Sequence, residues 1–235
     1  MGFKIGKTKA KEYEYYKPKD YYELKEIITK RRHDDPDLDL TDIDVSKIHH
    51  LEELFCDLNP YTINISNWDL TNCESISRIF AGCRNLEYVN MKDVDTSNIN
   101  NMNNMCYNCS SLKKIDGIEN FNISNLRSAG QLLYGCESLV ELNLSKWKPK
   151  KLTSTYYMFA FCKNLKTVGD ISKWDMSTVW NLDYMFAYCN NLEFTGDLNK
   201  WNIDIDNYKL KAGCMFRNCK CWEKNKPEWF LKKYK

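Results

Sequence analysis

The sequence predicts an α/β solenoid of seven units, each about 26–27 residues long. Three observations predict this fold. Six cysteines recur at a nearly constant spacing, a large apolar residue precedes each of them at a set distance, and the apolar pattern within a unit changes from helical to strand-like spacing. A repeat of roughly 20 to 50 residues is typical of solenoids, in which each unit buries its apolar side against its neighbours.

The cysteines set the period of the repeat. They end the segments RIFAGC, MCYNC, LLYGC, MFAFC, MFAYC and MFRNC, and they lie 26, 27, 26, 27 and 30 residues apart. These residues are Cys83, Cys109, Cys136, Cys162, Cys189 and Cys219. Buried thiols that behave as small apolar side chains explain this column better than metal ligands or disulfides, which are the alternatives.

A large apolar residue opens each unit. It lies fifteen residues before each of the first five cysteines and eighteen before the last, so the last unit carries an insertion of three residues. An earlier unit fits the same frame, with Leu58 in place of the cysteine. The seven units therefore open at Ile43, Trp68, Val94, Phe121, Trp147, Trp174 and Trp201. The tryptophans are predicted to close each coil at a turn, and stacking on a sugar is the alternative role.

Within a unit, the apolar spacing predicts a turn, a short helix and then a short parallel strand. After Ser177 the apolar residues follow at intervals of three, three, one and three, from Val179 to Cys189, which is one helical stripe. The preceding Ser or Thr suits a helix N-cap. The alternation in Leu142-Asn-Leu144 then predicts a strand with one buried face.

The ends of the solenoid need covers for its exposed core. Asp20-Tyr-Tyr-Glu23 resembles a capping box and predicts a helix over residues 20–33, with Tyr21, Leu24, Ile27 and Ile28 on its apolar face. Pro36 prevents its continuation. The predicted organisation is an N-terminal arm (1–19), a capping helix (20–37), the repeats (38–219), and a C-terminal cap with a basic tail (220–235). A docking helix and a docking tail are the functional alternatives for the two ends.

Composition and motifs give no support to several classes of function. A formal charge of +2 creates no strong field toward nucleic acid or membranes, and no apolar run is long enough for a membrane span. The N-terminus has no apolar segment of the secretory kind, and eleven cysteines then indicate a reducing compartment, so a cytoplasmic or virion location is expected. No phosphate loop, HExxH, GxSxG or Cys/His zinc spacing is found, which predicts a protein without enzymatic activity, metal or cofactor.

The repeat also resembles a known family. The unit Trp174-Asp-Met-Ser177, with Met185-Phe-Ala-Tyr-Cys189-Asn-Asn-Leu192, is similar to the BspA-like leucine-rich repeats, a surface-protein repeat of mycoplasmas, gut bacteria and their phages. The resemblance covers about residues 38–219. It implies a leucine-rich-repeat-like, right-handed superhelix. The resemblance indicates a shared architecture rather than any one activity.

The first function hypothesis is a protein–protein interaction or assembly module, one version being a phage or virion component. The outward strand positions mix both charges with aromatic and amide groups, which suits recognition of another protein. The candidate partner-binding residues are Tyr88, Asn90, Lys114, Asp116, Glu141, Asn143 and Lys166. An ordinary solvated face is the alternative reading of these positions, and the sequence does not determine the oligomeric state.

Two other hypotheses come from aromatic and basic residues. The tryptophans could stack on sugars, which would make the chain an adhesin-like module that binds a glycan or a cell surface. Lys148, Lys150 and Lys151, with the C-terminal lysines, could contact nucleic acid, but Glu223 and Glu228 dilute that charge. The sequence therefore favours another protein as the partner over nucleic acid.

Overall fold

The computed structural model describes residues 15–56, 58–219 and 226–234. Most of the predicted N-terminal arm, together with Cys221 and Trp222 of the predicted C-terminal cap, lies outside the described residues. The regular elements are helix α1 (Tyr21–Asp34), strands β1 (Asp37–Asp39), β2 (Thr62–Asn64), β3 (Tyr88–Asn90) and β4 (Lys114–Asp116), helix α2 (Glu228–Lys233), and 3-10 turns at Ile118–Asn120 and Leu198–Lys200.

The four strands form one parallel sheet in the order β1-β2-β3-β4. Their central residues are in register, with Ile63 paired to Leu38 on one side and to Val89 on the other, and Val89 paired to Ile115. All four central side chains are buried, while the flanking ones are at least partly exposed. Alternating side chains thus build one apolar column under the sheet, and the prediction of parallel strands in an α/β arrangement is confirmed.

Hydrogen bonding repeats with the period of the sequence beyond the sheet as well. Single bridges join Glu141 to Thr167 and Thr167 to Phe194, and a second column of bridges connects Ser75, Asn101, Ser128, Ser154, Asn181 and Lys211 in turn. The steps of this second column match the spacings of the cysteines. Consecutive repeats are therefore paired backbone to backbone at two places.

The predicted short helix in each unit is wrong. Between Ser75 and Cys83, the N–H groups of alternate residues, such as Arg78 and Phe80, donate to carbonyls of the next repeat. The N–H groups of Ile79, Ala81 and Cys83 donate to the carbonyl three positions back. We call this nine-residue stretch, and its equivalents at 101–109, 128–136, 154–162, 181–189 and 211–219, the turn segments. A helix this short would be marginal alone, and its own hydrogen bonds would use N–H groups that here reach the neighbouring repeat.

The apolar pattern could not distinguish the two structures. The turn segment buries Ile76, Ile79, Phe80 and Cys83, which are the same positions that would form one stripe of a helix. What separates them is the backbone, since Arg78 and Gly82 have positive φ angles of 58° and 77°. Left-handed residues at these two register positions recur along the chain and prevent a continuous helix.

Helix α1 begins where the sequence predicts. Asp20 is its N-cap and accepts the Glu23 N–H at 2.9 Å, while the Glu23 carboxylate accepts the Lys19 N–H at 2.8 Å. Leu24 and Ile28 are fully buried, and α1 packs beside β1. At the other end of the helix, Arg31 makes a two-pronged ion pair with Asp42. The helix therefore covers the first repeat with apolar contacts and fixes its orientation with this pair.

The cysteine column lies in the core. All six side chains are buried, and each Sγ–H donates to a carbonyl of the preceding repeat, as Cys109 does to Phe80 and Cys162 to Leu133, both at 3.0 Å. Burial raises the pKa of Cys162 to about 12, so this thiol stays protonated at neutral pH. The interpretation of these residues as small buried groups is confirmed, and each also bonds a carbonyl in the core.

The tryptophans form a second buried column. Trp68, Trp147, Trp174 and Trp201 are at most 4% exposed. Each indole N–H donates to a main-chain carbonyl of the preceding repeat. The rings of Trp147 and Trp174 stack at 5.8 Å, and Trp229 of α2 stacks on Trp201 at 6.3 Å. Helix α2 thus continues the column of aromatic rings beyond the last repeat.

Aspartates in the turns make the stability of the fold depend on pH. The N–H and Oγ–H of the residue two positions later donate to the carboxylates of Asp44, Asp69 and Asp175, and a Ser N–H donates to Asp170. These hydrogen bonds lower the pKa of all four groups. A pKa lowered by folding adds stability above the unfolded value, and that stability is lost as the pH falls through the folded value.

We therefore expect the melting temperature to fall as the pH is lowered below about 4. The control replaces all four aspartates by asparagine. Asn122 supplies this residue at the turn position of Asp44, Asp69 and Asp175, where it accepts the Ser124 N–H, and Asn143 supplies it at the position of Asp170, where it accepts the Ser145 N–H. Calorimetry from neutral to acidic pH should show a flatter profile for this variant. An unchanged acid profile would show that other carboxylates control the acid stability.

Candidate interaction surface

The structure brings part of the predicted strand face together. Tyr88 lies beside Lys114 and Asn90 beside Asp116 on strands β3 and β4. Glu141, Asn143 and Lys166 are exposed, and Glu141 pairs with Thr167 in a separate short ladder. The predicted residues thus fall into two groups, and no bridge joins β4 to Glu141 among the described residues.

The charges of the first group are satisfied within the chain. The Tyr88 hydroxyl donates to Asp116 at 2.8 Å, and the ammonium groups of Lys114 and Lys92 lie 2.7 and 3.2 Å from the same carboxylate. Burial acts to raise the pKa of Asp116, but the hydrogen bonds from Lys114, Tyr88 and Lys92 outweigh it, and the pKa is lowered. A partner that used this carboxylate would have to break three contacts first.

A different surface gathers seven aromatic side chains that lie outside the core. It spans four consecutive turn segments, and we call it the aromatic surface. Its members are Tyr107, Tyr134, Tyr156, Tyr157, Phe161, Tyr184 and Tyr188. Tyr156 is 38% exposed and the other six are half-buried. Partly buried rings of this kind keep an apolar body packed and a polar edge in water.

The rings stack along the direction in which the repeats follow one another. Phe161 stacks on Tyr188 at 4.3 Å, and Tyr107 stacks on Tyr134, which in turn contacts Phe161 at 5.1 Å. In a second stack, Tyr157 and Tyr184 are parallel within 1° at 4.3 Å. Stacking thus covers one face of each ring in these pairs, whereas Tyr156 meets Tyr157 and Tyr184 edge-on.

Four of these aromatics have a strained backbone. The φ angles of Tyr157, Phe161, Tyr184 and Tyr188 are 55°, 64°, 59° and 62°. At the register position of Phe161 and Tyr188, the other repeats have Gly82, Asn108, Gly135 and Asn218, which tolerate this conformation better, whereas the position of Tyr157 and Tyr184 holds Arg78, Asn104 and Gln131, all with positive φ angles. A left-handed backbone costs an ordinary side chain about 1–2 kcal/mol. Strain of this kind clusters at functional sites, where the surrounding structure maintains it.

Three phenols of the aromatic surface have a raised pKa and stay protonated at neutral pH. Burial raises the pKa of Tyr134 and of Tyr157, and a hydrogen bond with Cys214 raises the pKa of Tyr184. The guanidinium of Arg217 lies 3.5 Å from the Tyr184 hydroxyl oxygen. At neutral pH the surface therefore offers O–H donors rather than phenolate acceptors.

Comparison with known proteins now places the chain. The model of a family described as "Mycoplasma protein of unknown function, DUF285" matches residues 23–140 and again residues 131–235. The chain belongs to the DUF285 family. The two successive matches agree with the internal repetition of this DUF285 chain. A comparison with curated proteins finds no match, and a comparison with solved structures finds none. The narrower resemblance to BspA-like leucine-rich repeats stays a prediction.

The sequence contained a signal for the aromatic surface that its analysis missed. Phe161 and Tyr188 directly precede a cysteine in the segments MFAFC and MFAYC, where RIFAGC and LLYGC of the same DUF285 chain have glycine. The sequence signal is an aromatic residue at a position that holds Gly or Asn in the other repeats. Apolar periodicity alone assigned these segments to the core, because their Met, Phe and Cys residues do lie there.

Other sites that the sequence could suggest are not assembled among the described residues of the DUF285 chain. No group of three His, Cys, Asp or Glu side chains there is placed to bind a metal ion. No described helix has the length and apolar character needed to cross a membrane. Trp68, Trp147 and Trp174, the candidates for sugar stacking, lie in the core with their indole N–H groups bonded to the main chain.

Proposed function

We propose that this DUF285 chain is a non-enzymatic protein-binding or assembly module whose contact surface is the aromatic surface. The observation that carries the proposal is the set of four aromatic residues kept in left-handed conformations in two adjacent repeats. Tyrosine is enriched at binding hot spots because it combines a large apolar area with a hydroxyl group and few rotatable bonds. Rings that are already stacked lose little conformational freedom on binding.

The architecture that we propose for this module is a right-handed solenoid of seven units, related to the BspA-like leucine-rich repeats. Two columns of hydrogen bonds with the period of the sequence support it. Connections between neighbouring parallel strands are right-handed in nearly all proteins. A role as a phage or virion component stays one version of the assembly function.

The geometry favours a protein over a glycan as the partner. Sugars bind aromatic side chains through open ring faces, and here the faces of Tyr157, Tyr184, Phe161 and Tyr188 cover one another. Exposed ring edges and hydroxyl groups suit the main-chain carbonyls and apolar side chains of a protein. An adhesin-like glycan module is therefore the second candidate.

Substitutions taken from the chain's own repeats test the proposal. Changing Tyr157, Phe161, Tyr184 and Tyr188 to asparagine introduces the residue that Asn104, Asn108 and Asn218 supply at the same register. Relief of about 1–2 kcal/mol of strain per residue offsets the lost ring stacking, about 0.5–1.5 kcal/mol per pair, so the variant is expected to fold with similar stability. The matched control is Tyr88→Thr on the strand face, because Thr62 pairs with Tyr88 in the sheet.

The measurement is quantitative affinity capture from cells that express the protein, using wild type, the four-asparagine variant and Tyr88→Thr in parallel. We expect one set of proteins to be retained by wild type and Tyr88→Thr and lost by the four-asparagine variant. If Tyr88→Thr loses those proteins and the four-asparagine variant keeps them, the strand face is the contact surface. If glycans bind the wild type and proteins do not, the second candidate is correct.

A further inference from the structure

A basic strip borders the aromatic surface. We define it as the exposed cations Arg127, Lys148, Lys150, Lys151, Lys209 and Lys211, together with the exposed indole of Trp180. Lys148 follows Trp147 at the position where Asp175 follows Trp174, so a cation here replaces the acid of the next repeat. Four of the six cations belong to two consecutive repeats.

Backbone hydrogen bonds place Arg127, Trp180 and Lys211 of the strip on successive repeats. The Thr153 N–H donates to the Arg127 carbonyl at 2.8 Å, the Trp180 N–H to Thr153 at 3.0 Å, and the Lys211 N–H to Trp180 at 2.8 Å. Rungs joined in this way lie about 4.8 Å apart. The bridges from Ser128 through Ser154 and Asn181 to Lys211 run between the strip and the aromatic surface, so the two are contiguous.

The cations of the strip are not neutralised by ion pairs. None of the six takes part in an ion pair within the described part of the chain, whereas Lys113, Lys114 and Lys163 elsewhere each bind a carboxylate. The Lys151 ammonium donates to the neutral amide of Asn125 at 2.7 Å. At the register position of Lys148 the next repeat has Asp175, and its carboxylate already accepts hydrogen bonds from Ser177 and Asn202. The strip therefore keeps a local positive charge.

Trp180 adds a hydrogen-bond donor. It is 39% exposed, whereas the indole N–H groups of Trp68, Trp147, Trp174, Trp201 and Trp229 all donate to carbonyls. No acceptor for the Trp180 N–H lies among the residues that the structure describes. Cations, an indole N–H and neutral phenols together make a surface rich in hydrogen-bond donors. A binding partner that complements this surface is rich in hydrogen-bond acceptors and carries negative charge.

We infer that the partner segment is an acidic, extended polypeptide that lies across the basic strip and onto the aromatic surface. The inference rests on the proposed protein-binding function and names the chemistry of its partner. Carboxylates of the segment pair with Arg127 and the strip lysines, and its apolar side chains and carbonyls contact the tyrosine edges and hydroxyls. Electrostatic attraction of this kind sets the orientation of the segment and raises its rate of association.

The same observations favour a peptide over single-stranded nucleic acid. Nucleic-acid grooves bind successive bases by stacking them on open aromatic faces. In the aromatic surface, Tyr157 and Tyr184 cover one face of each other, Phe161 and Tyr188 do the same, and within the strip Trp180 supplies one ring.

Fluorescence anisotropy tests the inference with the full chain. The probes are a labelled poly-L-glutamate peptide of about 20 residues and a labelled oligouridine RNA of the same length. We expect the peptide to bind and its affinity to fall as salt is raised. The variant Arg127→Glu with Lys151→Glu should bind it about tenfold more weakly or worse. Lys19→Glu with Lys30→Glu makes the same change of charge on exposed residues at α1 and should bind as wild type does.

The remaining outcomes overturn the inference. The inference is contradicted if the peptide does not bind or if the RNA binds more tightly than the peptide. It is also contradicted if both charge variants lose the same affinity for the peptide, because only the net charge of the chain would then matter. Melting curves of both variants establish that they fold. If the captured partner is lost by the four-asparagine variant but retained by Arg127→Glu with Lys151→Glu, the acidic segment is wrong and the proposed function stands. Retention by both variants contradicts the proposed function itself.

Discussion

Replacing Trp147 by alanine is expected to lower the free energy of unfolding by about 3–5 kcal/mol. The indole is 1% exposed, stacks on Trp174 at 5.8 Å and donates its N–H to the Ile118 carbonyl at 2.7 Å. Alanine removes the buried ring, opens a cavity between successive repeats and deletes the hydrogen bond. The repeats contact one another mainly through such columns, so the loss affects both interfaces of the fifth unit.

Chemical denaturation, followed by circular dichroism, measures this loss. Trp180→Ala is the matched control, because the same residue type is 39% exposed there and its removal should cost within about 0.5 kcal/mol. Trp147→Phe keeps a ring but removes the N–H donor, so an intermediate loss is expected. Similar losses for Trp147→Ala and Trp180→Ala would contradict the buried column.

Replacing Gly117 by alanine is the second large effect. Gly117 follows β4 with a φ angle of +93°, and an added Cβ would lie 2.5 Å from the Met91 carbonyl oxygen and 2.6 Å from its carbon. Those atoms belong to the backbone of the preceding repeat, so they cannot move aside without disturbing the stacking. Overpacking costs about 1–3 kcal/mol and the left-handed backbone about 1–2 kcal/mol more, so we expect a loss of roughly 2–5 kcal/mol.

Gly82→Ala separates the two contributions. Gly82 also has a positive φ, +77°, but nothing lies within 4 Å of its added Cβ. This variant should therefore lose only the backbone part, about 1–2 kcal/mol. The difference between the two unfolding free energies isolates the close approach of consecutive repeats at Gly117. Equal losses would show that the repeats are not in tight contact there.

The register of the repeats could be predicted in detail. The spacing of Cys83 to Cys219 equals the step of the bridge column from Ser75 to Lys211, because each repeat must return its chain to the same place above its neighbour. The N-cap at Asp20 could be predicted equally well from the sequence, since a capping box depends on residues three positions apart. Local spacing and burial follow directly from the order of residue types.

The backbone path and the candidate site could not be predicted in the same way. The short-helix prediction failed because Ile76, Ile79, Phe80 and Cys83 face inward in either conformation, and only hydrogen bonds to the next repeat decide between them. The strand-face prediction treated Asp116 as available to a partner, whereas Tyr88, Lys92 and Lys114 all bind it. Such contacts join residues on different repeats, and a period does not specify which side chains meet.

The sequence by itself determined the period, the buried columns of thiols and indoles, and the helix that covers the first repeat, because these depend on which residue types recur and at what distance. Only the tertiary structure decided that the turn segments bond to one another rather than forming helices. It also decided that Tyr157 and Tyr184 stack in left-handed conformations beside an unneutralised basic strip. Both results arise from the stacking of one repeat on the next, where main-chain and side-chain groups about 26 residues apart come into contact.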